Sequence, residues 1–145
     1  MTPSETNVIS QVHQLLAQNG YEVAEGGKDV LRARDLDTGV SFQVALEGNV
    51  LYMSVVLETL ASDAITPDMM RKMLSGNNGV STSAFRLYDS QDGRIAITLN
   101  NFCTLQNMGA EDEDDILSLA GYLMADLLEA RELLQGSSHT TAQAK

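Results

Sequence analysis

The chain has 145 residues, 43% of them hydrophobic, and its 20 acidic and 9 basic residues give a formal net charge of −11. This length suits one domain with a sizeable core. The negative charge argues against nucleic acid as a partner, because it repels phosphate backbones. The single cysteine, Cys103, excludes an internal disulfide and a multi-cysteine zinc site.

Neither a membrane span nor a secretory signal is visible in the sequence. The apolar residues are spread along periodic segments instead of forming one run long enough to cross a bilayer. The opening "MTPSETNVIS" has no basic region followed by an apolar one. We therefore expect a cytoplasmic protein without a membrane partner.

The first helix is predicted over about residues 4 to 18. Its start, "TPSE", combines a capping hydroxyl at Thr2, a proline at the first helical position and a glutamate three residues after the cap. Asn19-Gly20 is a typical helix end. The apolar residues between these signals recur at helical spacing: Val8, Val12, Leu15 and Leu16.

Residues 21 to 58 are predicted to form an antiparallel meander of four strands. The hydrophobic period changes from helical to two at Tyr21, and the turn sequences "GGKD", "DTG" and "EGN" separate the strands. In "VSFQVAL" and "VLYMSVVL" apolar residues alternate with others, so one face of the sheet is expected to be buried.

A short second helix is predicted from Thr66 to Ser75, with Thr66 as the cap, Pro67 at the first position and Asp68 near the positive end of the helix dipole. The strands "AFRLY" and "RIAITL" follow, joined by the turn "DSQDG". A long amphipathic helix comes last. Its apolar residues are spaced alternately by four and three: Ile116, Ala120, Leu123, Leu127, Ala130 and Leu134.

These elements predict an α+β fold with an antiparallel sheet and the element order α-β-β-β-β-α-β-β-α. The apolar stripe of the last helix is wider than a two-stranded coiled coil requires, so we expect this helix to lie across the sheet. We predict a single domain over residues 1–135, followed by a flexible polar tail over residues 136–145, "GSSHTTAQAK".

The acidic run from Glu111 to Asp115 admits three interpretations. Acids next to the start of a helix interact favourably with its free N–H groups and its dipole. A calcium loop is disfavoured, because its sixth position would hold Ile116 instead of glycine and its twelfth lacks a glutamate. The run could also attract a basic segment of a partner.

No catalytic signature is found in the sequence. There is no nucleophile elbow, phosphate-binding loop or dinucleotide fingerprint. Cys103 has no histidine near it in the sequence and is interpreted as a small buried apolar side chain. We therefore expect a protein that is not an enzyme and that needs no cofactor or metal.

The second helix is too apolar to bury all of its faces against one sheet, so part of it should be covered by another chain. Methionine side chains adapt to irregular partners, although ordinary core filling explains the methionines of this helix equally well. The predicted dimer interface is Met69, Met70, Met73 and Leu74.

The uncovered face of the predicted sheet mixes basic, small and aromatic side chains. A face of this kind can receive an extended peptide, and the solvation of an ordinary antiparallel sheet explains it equally well. The residues proposed for peptide binding on this face are Arg32, Arg34, Tyr52, Arg86, Tyr88 and Arg94.

The element order and the segment "MLSGNNGVSTSAFRLYDSQDGRIAITLNNF" resemble the class I type III secretion chaperones of the Tir-chaperone type and the YbjN-like proteins that share their fold. The resemblance covers about residues 4 to 135. It implies a two-layer α+β sandwich that dimerises largely through the second helix and its neighbouring strand. It also implies a polypeptide held in extended form on apolar patches of the sheet and of the first helix, where Val8 and Val12 lie.

Two functions are therefore expected, with an unrecognised enzyme as a weaker third option. The first is a non-enzymatic homodimer that holds the N-terminal segment of a secreted effector without ATP or metal, as the resemblance implies. The alternative is a YbjN-like regulatory or small-ligand-sensing domain. The sequence departs from the chaperone pattern in its four-strand meander and in the loop of acids expected before the last helix.

Overall fold

The computed structural model describes residues 3–90 and 92–143, with side chains described for residues 8–90 and 92–135. Its elements are α1 (Pro3–Ala17), β1 (Tyr21–Gly27), β2 (Val30–Asp35), β3 (Ser41–Glu47), β4 (Val50–Ala61), a 3-10 turn (Ser62–Ala64), α2 (Pro67–Leu74), β5 (Ala84–Asp89), β6 (Arg94–Thr104) and α3 (Ala110–Gln143). In the described residues six strands form one antiparallel sheet in the order β1-β2-β3-β4-β6-β5. The predicted α+β fold and its element order are confirmed.

The chain divides into two compact units, and β4, β6 and α3 contribute residues to both. Unit 1 comprises Met1–Val55 and Asn101–Gly121, and unit 2 comprises Val56–Asn100 and Tyr122–Lys145. The single domain predicted over residues 1–135 stays a prediction.

In unit 1 the alternation of strand residues separates a buried inner face from an exposed outer face. Leu31, Phe42 and Met53 are buried on successive strands, while their neighbours along each strand point the other way. Helix α1 contacts β1 and β2, and its Val12 and Leu16 are fully buried. Since the outer face stays exposed, α1 covers the inner face.

The first part of α3 also closes the inner face of unit 1. Asn101, on β6, donates from Nδ2 to the carbonyl oxygen of Leu119 at 3.0 Å. Ile116 and Ala120 on the same helix are fully buried. The predicted apolar stripe of this helix therefore lies on the sheet.

In unit 2 an apolar cluster joins α2 to the strands and to the second part of α3. Each large side chain that is fully removed from water contributes roughly 1.5–3 kcal/mol. The buried members are Ile65, Met69, Met73, Ile97 and Leu134, and the partly buried Leu57, Leu60, Phe85 and Ile95 pack against them.

The predicted start of α2 is confirmed. Thr66 Oγ1 accepts a hydrogen bond from the N–H of Met69 at 3.1 Å, and Pro67 occupies the first helical position. Proline is tolerated there because the N–H that it lacks would have had no partner within the helix. Asp68 lies in the first turn, 3.7 Å from Lys72 Nζ.

Several element boundaries differ from the prediction. Strand β4 continues to Ala61, and β6 continues to Thr104 instead of ending near Leu99. Helix α3 begins at Ala110, so the acidic run lies within the helix. The expectation of a loop of acids before this helix was therefore wrong.

The ends of the chain are described only in part. Helix α1 begins at Pro3, and the predicted cap, Thr2, lies outside the described residues. Helix α3 runs to Gln143, past the end predicted near Gln135. The side chains of residues 136–145 are not described, so the flexibility of this segment stays a prediction. None of the helices in the described residues, α3 included, combines the length and the apolarity needed to cross a membrane.

Candidate functional site

The outer face of unit 1 is arranged in rows that run across the strands. Cross-strand pairing places Val30 opposite Ala45, and Ala45 opposite Tyr52. The ring of Phe102 on β6 follows, with its centroid 6.0 Å from that of Tyr52. Val30, Ala45, Tyr52 and Phe102 therefore form one continuous row, which we call the apolar row.

Two residues of the apolar row are strongly exposed. Phe102 is 62% exposed and Tyr52 is 41% exposed. Aromatic side chains bury much of their surface in most proteins, and an exposed apolar patch that is rimmed by polar residues often marks a binding site. The aromatic pair is therefore the most prominent candidate contact site on this face.

The prediction included Tyr52 but missed Phe102. The predicted strand stopped near Leu99, whereas β6 continues to Thr104 and carries Phe102 on its outward side. The signal was the alternation that continues through "NNFCT", in which Phe102 has the same parity as Asn100. Two successive asparagines, which are uncommon in strands, obscured it.

A polar row lies beside the apolar row. Arg32 pairs with Gln43, and Gln43 pairs with Ser54. Arg34, also on the outer face, is engaged, since its Nε donates to Oε1 of Glu22 at 3.3 Å. Within the described part of the chain, Arg32 has neither an ion pair nor a side-chain hydrogen bond. Arg32 is therefore an exposed cation that is available to a ligand.

Unit 2 presents its own outward strand face, where the predicted Arg86, Tyr88 and Arg94 are all exposed. Tyr88 pairs with Ala96 across β5 and β6. Arg94 is engaged, because its Nη2 donates to the carbonyl oxygen of Thr59 at 3.0 Å. This face is basic and aromatic as well, but no ring contact joins its aromatic side chains among the described residues.

The four residues predicted for a dimer interface divide between two environments. Met69 and Met73 are buried in the core of unit 2, so core filling is the correct interpretation for them and they are not available to another chain. Met70 is 37% exposed and Leu74 is 81% exposed. The division follows from helical geometry, because residues four apart share a face.

The two candidate residues on α1 also differ. Val12 is fully buried against unit 1, so the prediction that it contacts a bound peptide was wrong, since a peptide must reach accessible surface. Val12 lies four residues after Val8, so the two share one face of α1, and at Val12 this face packs on the sheet. Val8 is half-buried and stays a candidate.

One member of the acidic run is buried and structural. Asp112 Oδ2 accepts hydrogen bonds from three consecutive N–H groups, at 2.7 to 2.9 Å. Burial raises the pKa of Asp112, but these hydrogen bonds outweigh it and hold the pKa below its ordinary value. The donors are Gln106, Asn107 and Met108. Asp112 therefore fixes the turn that leads into α3, which favours the helix-start interpretation of the run.

A second buried carboxylate, Asp126 on α3, holds the loop before β5. Its Oδ1 accepts from the N–H and the hydroxyl of Ser81, and its Oδ2 accepts from the N–H and hydroxyl of Thr82 and from the N–H of Ser83. Burial raises the pKa of Asp126, and the hydrogen bonds from the loop outweigh it and lower the pKa. We call this arrangement the Asp126 clamp.

Metal and thiol chemistry are not supported by the described residues. No group of three or more His, Cys, Asp or Glu side chains lies close enough together among them to hold a metal ion. Burial, with the nearby charges of Asp115 and Asp112, raises the pKa of the Cys103 thiol to about 11. The thiol therefore stays protonated near neutral pH and is a poor nucleophile.

Comparison with known proteins shows a likeness of fold. No family model matches the chain, and no curated protein matches it. YbjN from E. coli, a proposed transcription regulator, is similar with a TM-score of 0.67 and 12% identity over 89% of this chain and 93% of that one. A chain of the heterodimeric ExoU-SpcU complex from the type III secretion system of Pseudomonas aeruginosa gives a TM-score of 0.52 and 17% identity, over 83% and 95% of the two chains. The predicted resemblance to the secretion-chaperone-like and YbjN-like fold is therefore confirmed.

Proposed function

We propose that this protein binds a polypeptide segment without catalysis, as a class I type III secretion chaperone does, and that it acts in the cytoplasm. The observation that carries the proposal is the apolar row, with its exposed aromatic pair beside Arg32, which has no ion pair within the described part of the chain. Covering such a row with apolar side chains of a partner removes its surface from water. The likeness to a chain of the two-protein ExoU-SpcU complex supports a protein partner.

The chemistry of the buried carboxylates supports a role without catalysis. A general acid or base needs a carboxyl group whose pKa approaches the working pH. The pKa values of Asp112 and Asp126 are instead lowered, because backbone N–H groups hold the ionised forms. Both residues are therefore explained by their structural contacts.

Replacing both aromatic residues of the apolar row should weaken polypeptide binding. We expect Tyr52→Ser/Phe102→Ser to raise the Kd at least about tenfold, because the loss of two anchoring side chains costs more than about 1.4 kcal/mol. The measurement is the fluorescence anisotropy of labelled, reduced and carboxymethylated α-lactalbumin, a permanently unfolded polypeptide.

The matched control for this experiment is Tyr122→Ser, which removes an exposed aromatic ring from α3. It should bind α-lactalbumin as the wild-type protein does. Equal Kd values for the double variant and the wild-type protein would show that the apolar row is not part of the binding site. A wild-type protein that binds no unfolded polypeptide at any accessible concentration would contradict the proposed function itself.

We extend the proposal to a homodimer formed through α2. Met70 and Leu74 are both exposed on the side of this helix that faces away from the core of unit 2. In a dimer with two-fold symmetry the same helix of each copy meets its equivalent. Two apolar side chains of this size are suitable for the centre of such a contact.

Charged side chains at these two positions should dissociate the dimer. In Met70→Glu/Leu74→Glu the carboxylates of the two copies would face one another and repel, so light scattering should change from the dimer mass to the monomer mass. Leu128→Glu, which changes an exposed leucine of α3, should keep the dimer. An unchanged mass for the double variant would refute an interface on α2.

The second candidate function is that of a YbjN-like regulatory or small-ligand-sensing protein. It is favoured by the greater structural similarity to YbjN, which also spans slightly more of this chain. The two candidates differ in the α-lactalbumin experiment, because a regulator of this kind has no need to bind unfolded chains. Failure to bind unfolded chains would therefore make the regulatory role the better proposal.

A further inference from the structure

The position and charge of the side chains on the outer face of unit 1 indicate which kind of polypeptide segment can bind there. We propose that the apolar row and Arg32 together receive an α-helical segment of the partner, with an apolar stripe and acidic residues along one flank. The inference rests on the proposed function and specifies the conformation and the charge of the bound segment. It replaces the extended conformation that the resemblance implied for this face.

The location of the row within the sheet favours a helix over an extended strand. Strands β2, β3 and β4 each have a neighbour on both sides, so their main-chain groups are engaged in the ladders. An extended segment on their face would hold its own N–H and C=O groups against apolar side chains without partners, which is costly. A helix satisfies these groups internally and is a regular layer on sheet faces.

The dimensions of the row match a short helix. The apolar row crosses β2, β3, β4 and β6, and three strand spacings amount to about 14 Å. A helix rises 1.5 Å per residue, so about 10 residues cover this length. Apolar residues spaced three and four apart then present a continuous stripe to the row.

Arg32 selects an acidic flank on its own side of the apolar row, whereas the exposed Glu47, on β3, lies on the opposite side of the row. Arg32 follows Val30 by two positions along β2, which places the polar row about 7 Å from the apolar row, within the width of a docked helix. Arg34 is paired with Glu22, whereas Arg32 has no ion pair among the described residues. A carboxylate on the helix flank can form a charge-assisted hydrogen bond with Arg32, and a lysine there is repelled.

Three synthetic peptides test this proposal. The first is a labelled amphipathic peptide of about four helical turns, with leucines spaced three and four apart and glutamates on one flank. The second has lysines in place of the glutamates. The third is the first peptide with one central leucine replaced by proline, which breaks the helix. Fluorescence anisotropy measures their Kd values, and circular dichroism measures the helicity gained on binding.

At about 0.15 M salt, where exposed charges more than about 8 Å apart are largely screened, we expect the wild-type protein to bind the glutamate peptide at least tenfold more tightly than the lysine peptide and than the proline peptide. Arg32→Glu should abolish or reverse the preference for glutamate. Arg131→Glu makes the same change of net charge on α3 and should leave the preference intact. Phe102→Ser should weaken binding of both the glutamate and the lysine peptide.

Several outcomes would overturn the proposal. A glutamate preference that survives Arg32→Glu would exclude Arg32 as its source, and equal binding of the proline peptide would show that the segment is not held as a helix. If the peptides fail while α-lactalbumin binds through the apolar row, this inference is wrong and the proposed function stands. If α-lactalbumin does not bind either, the proposed function fails with it. If no peptide binds and the mass measured by light scattering falls from dimer to monomer in Phe102→Ser, the face is an interface with a second copy of the chain.

Discussion

Replacing Asp126 with alanine is expected to lower the free energy of unfolding by about 3 kcal/mol, since hydrogen bonds to a charged group contribute about 1.5–3 kcal/mol each and part of the loss is regained through water. The Asp126 clamp receives five hydrogen bonds from residues 81–83 at 3.0 to 3.2 Å. Without the carboxylate the donors must find water instead. Urea unfolding followed by circular dichroism measures the change.

The control for Asp126→Ala is Asp114→Ala, which removes an exposed acid from the same helix. Surface substitutions of this type change stability by no more than about 0.5 kcal/mol. A destabilisation of Asp126→Ala that does not exceed that of the control would show that the clamp contributes nothing to stability.

The stability contributed by Asp126 should depend on pH in a defined direction. The pKa of Asp126 is lowered in the folded protein, so its contribution is complete above the pKa of an unfolded aspartate, about 3.9. It is lost as the pH falls through the lower folded pKa. The stability difference between the wild-type protein and Asp126→Asn should therefore shrink towards about pH 2. A difference that stays constant with pH would contradict the ionised state of the clamp.

Replacing Met73 with glutamate should destabilise the protein by about 4 kcal/mol or more, because it places an unpaired carboxylate in the core. Met73 is only 4% exposed and packs in the apolar cluster of unit 2. The variant should either fail to fold or unfold at a much lower temperature. Thermal unfolding followed by circular dichroism provides the measurement.

The matched control at this position is Met73→Leu, which keeps the apolar character and nearly the same volume and should cost less than about 1.5 kcal/mol. A glutamate variant as stable as the leucine variant would mean that residue 73 is accessible to water. The buried position also shows that Met73→Glu is unsuitable for testing dimerisation, for which the exposed Met70 and Leu74 are the appropriate positions.

Local signals in the sequence predicted most of the elements because each depends on neighbouring residues. Alternation separates the two faces of the sheet, as with Phe42 and Val44 against Gln43. The capping hydroxyl of Thr66 and the proline after it define the start of α2. These patterns arise from the periods of the helix and the strand, and no knowledge of the tertiary fold is needed to recognise them.

The candidate site could be predicted only in part. The outward positions of Arg32 and Tyr52 follow from strand parity, but their association with Phe102 depends on which strand lies beside β4. The helical period likewise groups Met69 with Met73 and Met70 with Leu74, without showing which pair faces the core. Deciding between the two pairs requires the tertiary contacts in unit 2.

The two buried carboxylates could not be predicted from local patterns. Asp126 binds residues that lie 43 to 45 positions away in the chain. Asp112 was one of five consecutive acids, and no sequence feature distinguishes it from the exposed members. Its burial depends on the turn at residues 106–108, which wraps around the carboxylate.

The strands of unit 1 can pair at different times during synthesis, because some partners are neighbours in the sequence and others are far apart. Strands β1 to β4 pair with their sequence neighbours, so the meander can form as soon as it leaves the ribosome. The bond from the N–H of Leu105 to the carbonyl oxygen of Asn49 must wait for a segment made much later. Until then the free edge of β4 and the part of the apolar inner face that α3 covers are exposed to other chains. The interval between the synthesis of β4 and that of α3 is therefore the period in which the nascent protein is most vulnerable to aggregation.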